Sequence, residues 1–413
     1  MKYLEATKSP QNHPRLIPNF RQAERKLLSI FLALLSHSSS ARSHFLRLCG
    51  CNFGRTGKYS SAMEVNFRGN QVPEVRPDGL LVCQRGKSCW SALIESKAES
   101  QKIRTDQIAS YIDLARAVGV DTIVTISNEF ARVPTEPPYR LDGNQVRGIQ
   151  VLHFAWADLR TMLELLKNEP ELCEIEKGLL QECLHYLWDE RSGVETFDAM
   201  PDVWPAFVEA ASTTLGFNAN VRGFGEIVSA WQQERRDLCS KLMHRLGTQV
   251  ELRHPVGVYS SDDERTQADR RDLADEYKMS AQFLFKDRRL SLDVLLNLHA
   301  CRMTAAMQIP VPENKGARAT VSWLSRSIDR SLTHDAKLHF DWPYRGHDAA
   351  PTVEDFLCEP DIVLDGQREA PKCVKLNVSK HGVRSFKSRK KVISDLESMV
   401  FELVDFHRLR GWL

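Results

Sequence analysis

The sequence predicts an α/β fold: a mixed β-sheet core flanked by helices, then a helical connector and a C-terminal α+β domain. Three observations carry this. Short apolar runs bounded by turn residues, Leu80 to Cys83, Trp90 to Glu95 and Asp121 to Ser127, read as strands. Between and before them, Phe20 to Leu35 and Asp106 to Val118 place apolar residues at helical spacing. The 413 residues exceed what one compact core usually holds, which predicts two domains.

In chain order, residues 1–19 hold three prolines and little periodicity and are expected to form a flexible arm. Helix Phe20–Leu35 presents Leu27, Leu28, Phe31, Leu34 and Leu35 on one face, and a Ser-rich break separates it from a short helix Ala41–Leu48. Strands follow at Ser61–Phe67, Val75–Cys83 and Trp90–Lys97. Helix Asp106–Val118 buries Ile108, Ile112, Ala115 and Val118, and Asp121–Ser127 is β-branched and apolar enough for a sheet interior. A strand at Arg147–His153 and a helix at Asp158–Leu166 close the first domain, 20–166.

The segment 167–246 is helical, with runs at Glu171–Trp188 and Gly225–Leu246, and reads as a connector or part of a helical subdomain. In the last domain, 247–413, the charged piece Ser260–Asp275 reads as a mobile loop or short surface helix. Strands are expected at Ser280–Phe285, Ser291–Leu298, Arg302–Gln308, Lys337–Phe340, Asp361–Leu364 and Lys372–Val378, with helices at Ala317–Ser331 and Ser388–Leu409. Short strands with two helices make this an α+β arrangement.

Net charge is +2, so the whole chain neither demands nor excludes a polyanion. Local charge is more telling. Arg15 to Lys58 holds eight Lys or Arg and one acid, Glu24, and Lys380 to Lys391 is basic without an acid. Arg389, Lys390 and Lys391 open the final helix, where the helix N-terminus also favours phosphate, and are the expected nucleic-acid contacts. Ten cysteines occur without a CxxC pair and read as reduced thiols. The aliphatic run Ile30–Leu35 is too short for a membrane span, so no membrane is expected and the location is read as cytoplasmic.

The chemistry concentrates in Arg76-Pro77-Asp78-Gly79 and Leu93-Ile94-Glu95-Ser96-Lys97. Asp78 begins one strand of a hairpin and Glu95 ends the next, so an antiparallel pairing brings the carboxylates together. Lys97 lies two residues beyond Glu95, on the same strand face. A phosphodiester resists attack because its oxygens are anionic, and a hard cation held by oxygen ligands offsets that charge and activates water. Asp78 and Glu95 are the expected ligands of Mg²⁺, for which Mn²⁺ can substitute. The Ile94 or the Ser96 carbonyl is available to complete the shell. Lys97 is suited to orienting the attacking water and stabilising transition-state charge.

These pieces resemble the PD-(D/E)XK nuclease superfamily, the fold of many restriction endonucleases, over roughly residues 20–165. Gln107 and Tyr111, four apart on one helix face, resemble the QxxxY motif of a subset of that family. The resemblance implies that this pair approaches the phosphate or steadies the lysine. It also implies an upstream acid, for which Glu24 on the first helix and Glu64 on the first strand are both candidates. The implied activity is Mg²⁺-dependent phosphodiester hydrolysis, on DNA by family analogy, in phage defence, restriction or repair. A partner protein or a second copy of the chain is compatible with it. The other reading is a non-catalytic nucleic-acid-binding or interaction protein that retains the nuclease fold.

Overall fold

A computed structural model describes residues 13–52, 56–67, 73–143, 145–213, 221–253, 262–285, 290–312, 315–329, 335–343, 350–364 and 366–413. Most of the expected arm, residues 1–12, lies outside them. Arg15, within the expected arm, is tied to the first helix, its amide and carbonyl both bonded to the Ser29 hydroxyl at 2.8 and 3.0 Å. The chain divides into two compact units, Met1–Thr196 and Phe197–Leu413. The segment read as a connector is shared between them.

Unit 1 contains, in order, α1 (Ala23–His37), α2 (Ser39–Leu48), β1 (Lys58–Met63), β2 (Gly79–Arg85), β3 (Ser88–Ser96), α3 (Thr105–Val118), β4 (Thr122–Ser127), β5 (Gln150–Ala155), α4 (Trp156–Lys167) and α5 (Glu174–Trp188). The five strands form one sheet in sequential order. β1, β2 and β3 pair antiparallel, β3 and β4 pair parallel through the α3 crossover, and β4 and β5 pair parallel through the loop 128–149. This is the mixed sheet flanked by helices that the sequence predicts.

Strand alternation sorts the side chains onto two faces. Leu81, Ala92, Ile94, Val124, Ile126 and Phe154 pack under α1, α2, α4 and α5. Leu80, Val82, Leu93 and Ile123 pack under Ile108, Tyr111, Ile112 and Ala115 of α3. α5 belongs to this core because Leu180, Cys183, Leu184 and Leu187 form an apolar stripe against α1 and α4. β4 is buried along its whole length, as a parallel strand covered on both faces must be.

Unit 2 holds α6 (Trp204–Thr213), α7 (Phe224–Leu246), β6 (Val250–Arg253), α8 (Asp262–Glu276), β7 (Lys278–Phe285), β8 (Leu290–Asn297), β9 (Arg302–Ile309), α9 (Ala317–Ser327), β10 (Lys337–Asp341), α10 (Val353–Cys358), β11 (Cys373–His381), α11 (Val383–Lys387) and α12 (Arg389–Leu409). Its sheet runs β10-β11-β9-β8-β7-β6, antiparallel at every pairing. Buried and partly exposed residues alternate along β7, β8 and β9, so one face is packed and the other is open.

One expectation for this unit is corrected. Asp361–Leu364 is not a strand: Pro360–Val363 is a turn of 3₁₀ helix, with Pro360 supplying the helical φ at its start. Of the two readings of Ser260–Asp275, loop or short helix, the described residues show the helix, α8, 15 residues long. It docks through Arg235 of α7, whose guanidinium makes two bonds of 2.7 Å to the buried Asp269 carboxylate. All ten cysteines are free thiols. Among the described residues no helix is long and apolar enough to cross a membrane.

Candidate active site on the α3 face of the sheet

The β2–β3 register pairs Gly79 with Ile94 and Leu80 with Leu93. Continued by one residue, it sets Asp78 opposite Glu95. Gly79 makes the approach possible, since a Cβ there would lie 3.3 Å from Ile94 Cβ and 3.4 Å from Leu32 Cδ1 of α1. The Ser96 amide donates to Asp78 Oδ2 at 2.9 Å and orients that carboxylate.

Glu95 is fully buried, and each of its oxygens has a partner. The Lys97 ammonium contacts Oε1, and the Tyr111 hydroxyl donates to Oε2 at 2.5 Å. The Gln107 amide in turn donates to the Tyr111 oxygen at 3.3 Å. The pair expected on α3 therefore holds Glu95, the carboxylate that the Lys97 ammonium contacts, while the lysine backbone is held separately. The Lys97 amide donates to the Ile126 carbonyl at 2.8 Å, and the Trp156 indole N–H donates to the Lys97 carbonyl at 2.8 Å. Trp156, at the β5–α4 junction, is a site support that motif reading does not detect, since its signal is one tryptophan some sixty residues downstream.

Two carboxylates thus share one ammonium. Burial and the Glu95 charge push the Asp78 carboxyl up to about 7, against the Ser96 amide and Lys97, which pull it down. Burial, followed by the Glu95 charge, drives the Tyr111 phenol well above its ordinary value, so it stays a donor. Two carboxylates beside one ammonium form a donor set suited to a hard cation.

Among the described residues no three His, Cys, Asp or Glu side chains gather around one point. The donor set is Asp78 and Glu95 alone. That fits Mg²⁺, which is typically held by one or two carboxylates plus waters and substrate oxygens, better than it fits a metal needing a protein cage.

The two upstream acids take different positions. Glu64 follows β1, and its amide donates to the Asp78 carbonyl at 2.9 Å. Its carboxylate is engaged by Arg25 and Arg76. Glu24 is in the first turn of α1 and makes no hydrogen bond or ion pair among the described residues. That turn borders the chain just beyond Lys97: a Cβ on Gly193 would be 3.1 Å from Ala23 Cβ and 3.4 Å from Ala98 Cβ.

The polar row continues across the sheet beyond what the motifs indicate. Thr125 pairs with Glu95 and with His153 in the parallel register. His153 Nε2 lies 2.8 Å from the Glu129 carbonyl, which can only accept, so Nε2 carries the proton and Nδ1 accepts from Thr125 at 2.9 Å. Burial pushes His153 down to about 4, keeping it neutral. The Tyr139 hydroxyl meets Thr125 at 2.8 Å and pins the loop between β4 and β5 to this row.

Arg389, Lys390 and Lys391 lie in unit 2. Arg389 pairs with Asp202 and donates to the Met200 carbonyl at 2.6 Å, and Lys390 is 3.0 Å from Asp198. Nearby, Lys387 pairs with Glu209, and Lys380 is 2.8 Å from Asp395. The one-sided charge visible along this stretch is therefore largely balanced by acids, three of them far away in sequence, with Lys391 exposed at the helix start.

Comparison with protein-family models, with curated proteins and with solved structures finds no match.

Proposed function

We propose that the protein is a metal-dependent nuclease of the PD-(D/E)XK type, hydrolysing phosphodiester bonds of DNA. The observation that carries this reading is the Asp78–Glu95 pair facing Lys97 on the sheet, two carboxylates beside one ammonium. A hard cation held by Asp78 and Glu95 would offset phosphate charge and lower the pKa of a bound water. The chain's own groups do the positioning. Tyr111 and Gln107 fix the Glu95 carboxylate, and the Ser96 amide fixes Asp78. Trp156 and Ile126 hold the Lys97 backbone, so the ammonium is placed to polarise water and to neutralise charge that builds on the phosphoryl oxygens. Glu24, the less engaged upstream acid, is the better candidate for the family's helix-borne carboxylate.

The test is incubation of the purified chain with linear, circular and single-stranded DNA, and with RNA, in Mg²⁺, Mn²⁺ or EDTA. Cleavage is expected with either cation and none in EDTA. Asp78→Ala should lower the rate on the order of 10³-fold while the fold survives, the scale seen when one group that stabilises transition-state charge is removed. Equal cleavage by Asp78→Ala and the parent, after exclusion of a contaminating nuclease, would overturn the reading, as would inactivity on every substrate.

A further inference from the structure

Glu64 adopts a left-handed backbone, φ 48°, which side-chain-bearing residues rarely occupy. The chain turns there directly beside the candidate site, because the Glu64 amide bonds the Asp78 carbonyl and the Val65 amide bonds the Pro77 carbonyl at 3.1 Å. The turn sends the carboxylate between two arginines. Arg25 Nη2 lies 2.6 Å from Oε2, and Arg76 Nη2 lies 3.1 Å from Oε1.

The two cations are fixed from different directions. Arg25 rises from the first turn of α1, its guanidinium 4.5 Å from the Phe20 ring centre, and its Nε is buried without a hydrogen-bond partner. Arg76 stands two residues before Asp78, and its carbonyl lies 3.3 Å from the Tyr111 hydroxyl. Its side chain is 58% exposed, against 30% for Arg25. Two guanidiniums and one carboxylate leave this trio with one positive charge. Guanidinium N–H groups in a planar fork match phosphate oxygens, and a shared carboxylate holds two of them side by side against their mutual repulsion.

We propose that Arg25, Glu64 and Arg76 form a clamp for a backbone phosphodiester adjacent to the one cleaved, with Glu64 acting as the positioning residue for both arginines and not as a metal ligand. The strained turn aims Glu64 at the arginines and sets the clamp beside Asp78. This inference rests on the nuclease reading, and it names which phosphate-binding groups serve that site.

The test measures binding apart from cleavage. Anisotropy of a short labelled DNA duplex with the full chain in EDTA, over a salt series, is expected to show a log–log slope flattened by about 0.9 in Arg76→Gln, one phosphate contact. A set of duplexes each carrying one uncharged methylphosphonate linkage should reveal one linkage that weakens parent binding several-fold and has no such effect in Arg76→Gln or Arg25→Gln. Glu64→Gln should raise KM several-fold, whereas loss of a metal ligand would fall on kcat and raise the Mg²⁺ requirement.

An unchanged slope in Arg76→Gln, no linkage with the expected pattern, or a kcat collapse in Glu64→Gln overturns the clamp. Failure of the parent reading is distinct from these. A chain that binds with the Arg76-dependent slope but never cleaves keeps the clamp and loses the hydrolysis. One that cleaves with an unaltered slope keeps the hydrolysis and loses the clamp.

Discussion

Glu95→Gln is expected to abolish cleavage without weakening the fold. Activity should fall on the order of 10³-fold or more, because an amide replaces one of two anionic oxygen ligands and the partner charge of Lys97. Stability should behave differently. In the parent chain the Glu95 charge is one of the causes holding Asp78 up at about 7. Asp78 then binds its proton more tightly folded than unfolded, so its contribution to stability falls as pH rises from the ordinary carboxylate range through about 7. Removing the Glu95 charge returns Asp78 toward that range and eases the fall. The substituted amide also keeps an oxygen for the Tyr111 hydroxyl, and Lys97 keeps Asp78 as a counter-charge. Thermal unfolding in EDTA near pH 8 should show a stability within about 1 kcal/mol of the parent or above it, the range for an isosteric change that relieves like charge. A loss of several kcal/mol would mean that Glu95 serves the fold first.

The second large effect lies in unit 2. Glu234 of α7 is fully buried, and neither carboxylate oxygen has a hydrogen-bond partner. Asp237 and Lys241 share its helix face, and Lys241 bridges Asp237 at 2.7 Å and Glu397 of α12 at 2.5 Å. The ammonium thus bonds two acids and leaves Glu234 beside them without a bond. Burial first, then the Glu397 charge, raises the Glu234 carboxyl well above its ordinary value, with Lys241 opposing and Asp237 adding. The sign follows from the excess proton of the folded state: stability is fullest below the unfolded carboxylate value and declines as pH rises toward the folded one. Glu234→Leu removes a desolvated, unpaired acid and leaves Lys241 with two partners. A gain of about 1–3 kcal/mol at pH 7 is expected, roughly 2–4 °C of melting temperature per kcal/mol for a domain this size. The gain should shrink toward pH 4. Scanning calorimetry across pH checks both, and a destabilised variant with an unchanged pH profile would show that Glu234 has a partner role.

The first domain was legible where local rules and packing agree. Leu80–Cys83, Trp90–Glu95 and Asp121–Ser127 each read as strands because apolar runs of that length between turn residues are buried on a sheet, and all three are strands. The Asp78–Glu95 convergence follows from hairpin geometry alone and is present. Boundaries slipped where the chain leaves the sheet: the first strand ends at Met63, and Glu64 belongs to the turn.

What was not legible depends on partners far away in sequence. α8 carries DDERTQADRRDLADE, with no apolar stripe, because its docking uses the Arg235–Asp269 ion pair together with Ala268 and Leu273. The strand Val250–Arg253 is four residues long and gains its identity from pairing with β7. At the site, Trp156, Thr125 and the arginines around Glu64 act through contacts that no spacing rule encodes.

The way the site closes has an entropic side. Asp78 and the Ser96 amide meet over 18 positions of chain, through a hairpin turn, whereas the Trp156 indole reaches the Lys97 carbonyl over 59. Closing the longer loop costs about 1 kcal/mol more in chain entropy, since that cost grows only with the logarithm of length. The contact that is easier to close carries the repelling carboxylates, and the contact that is harder to close carries a favourable hydrogen bond. Electrostatic conflict and chain entropy are thereby kept in separate loops, neither adding to the other, so a charged site can sit on a sheet whose buried positions are mostly apolar.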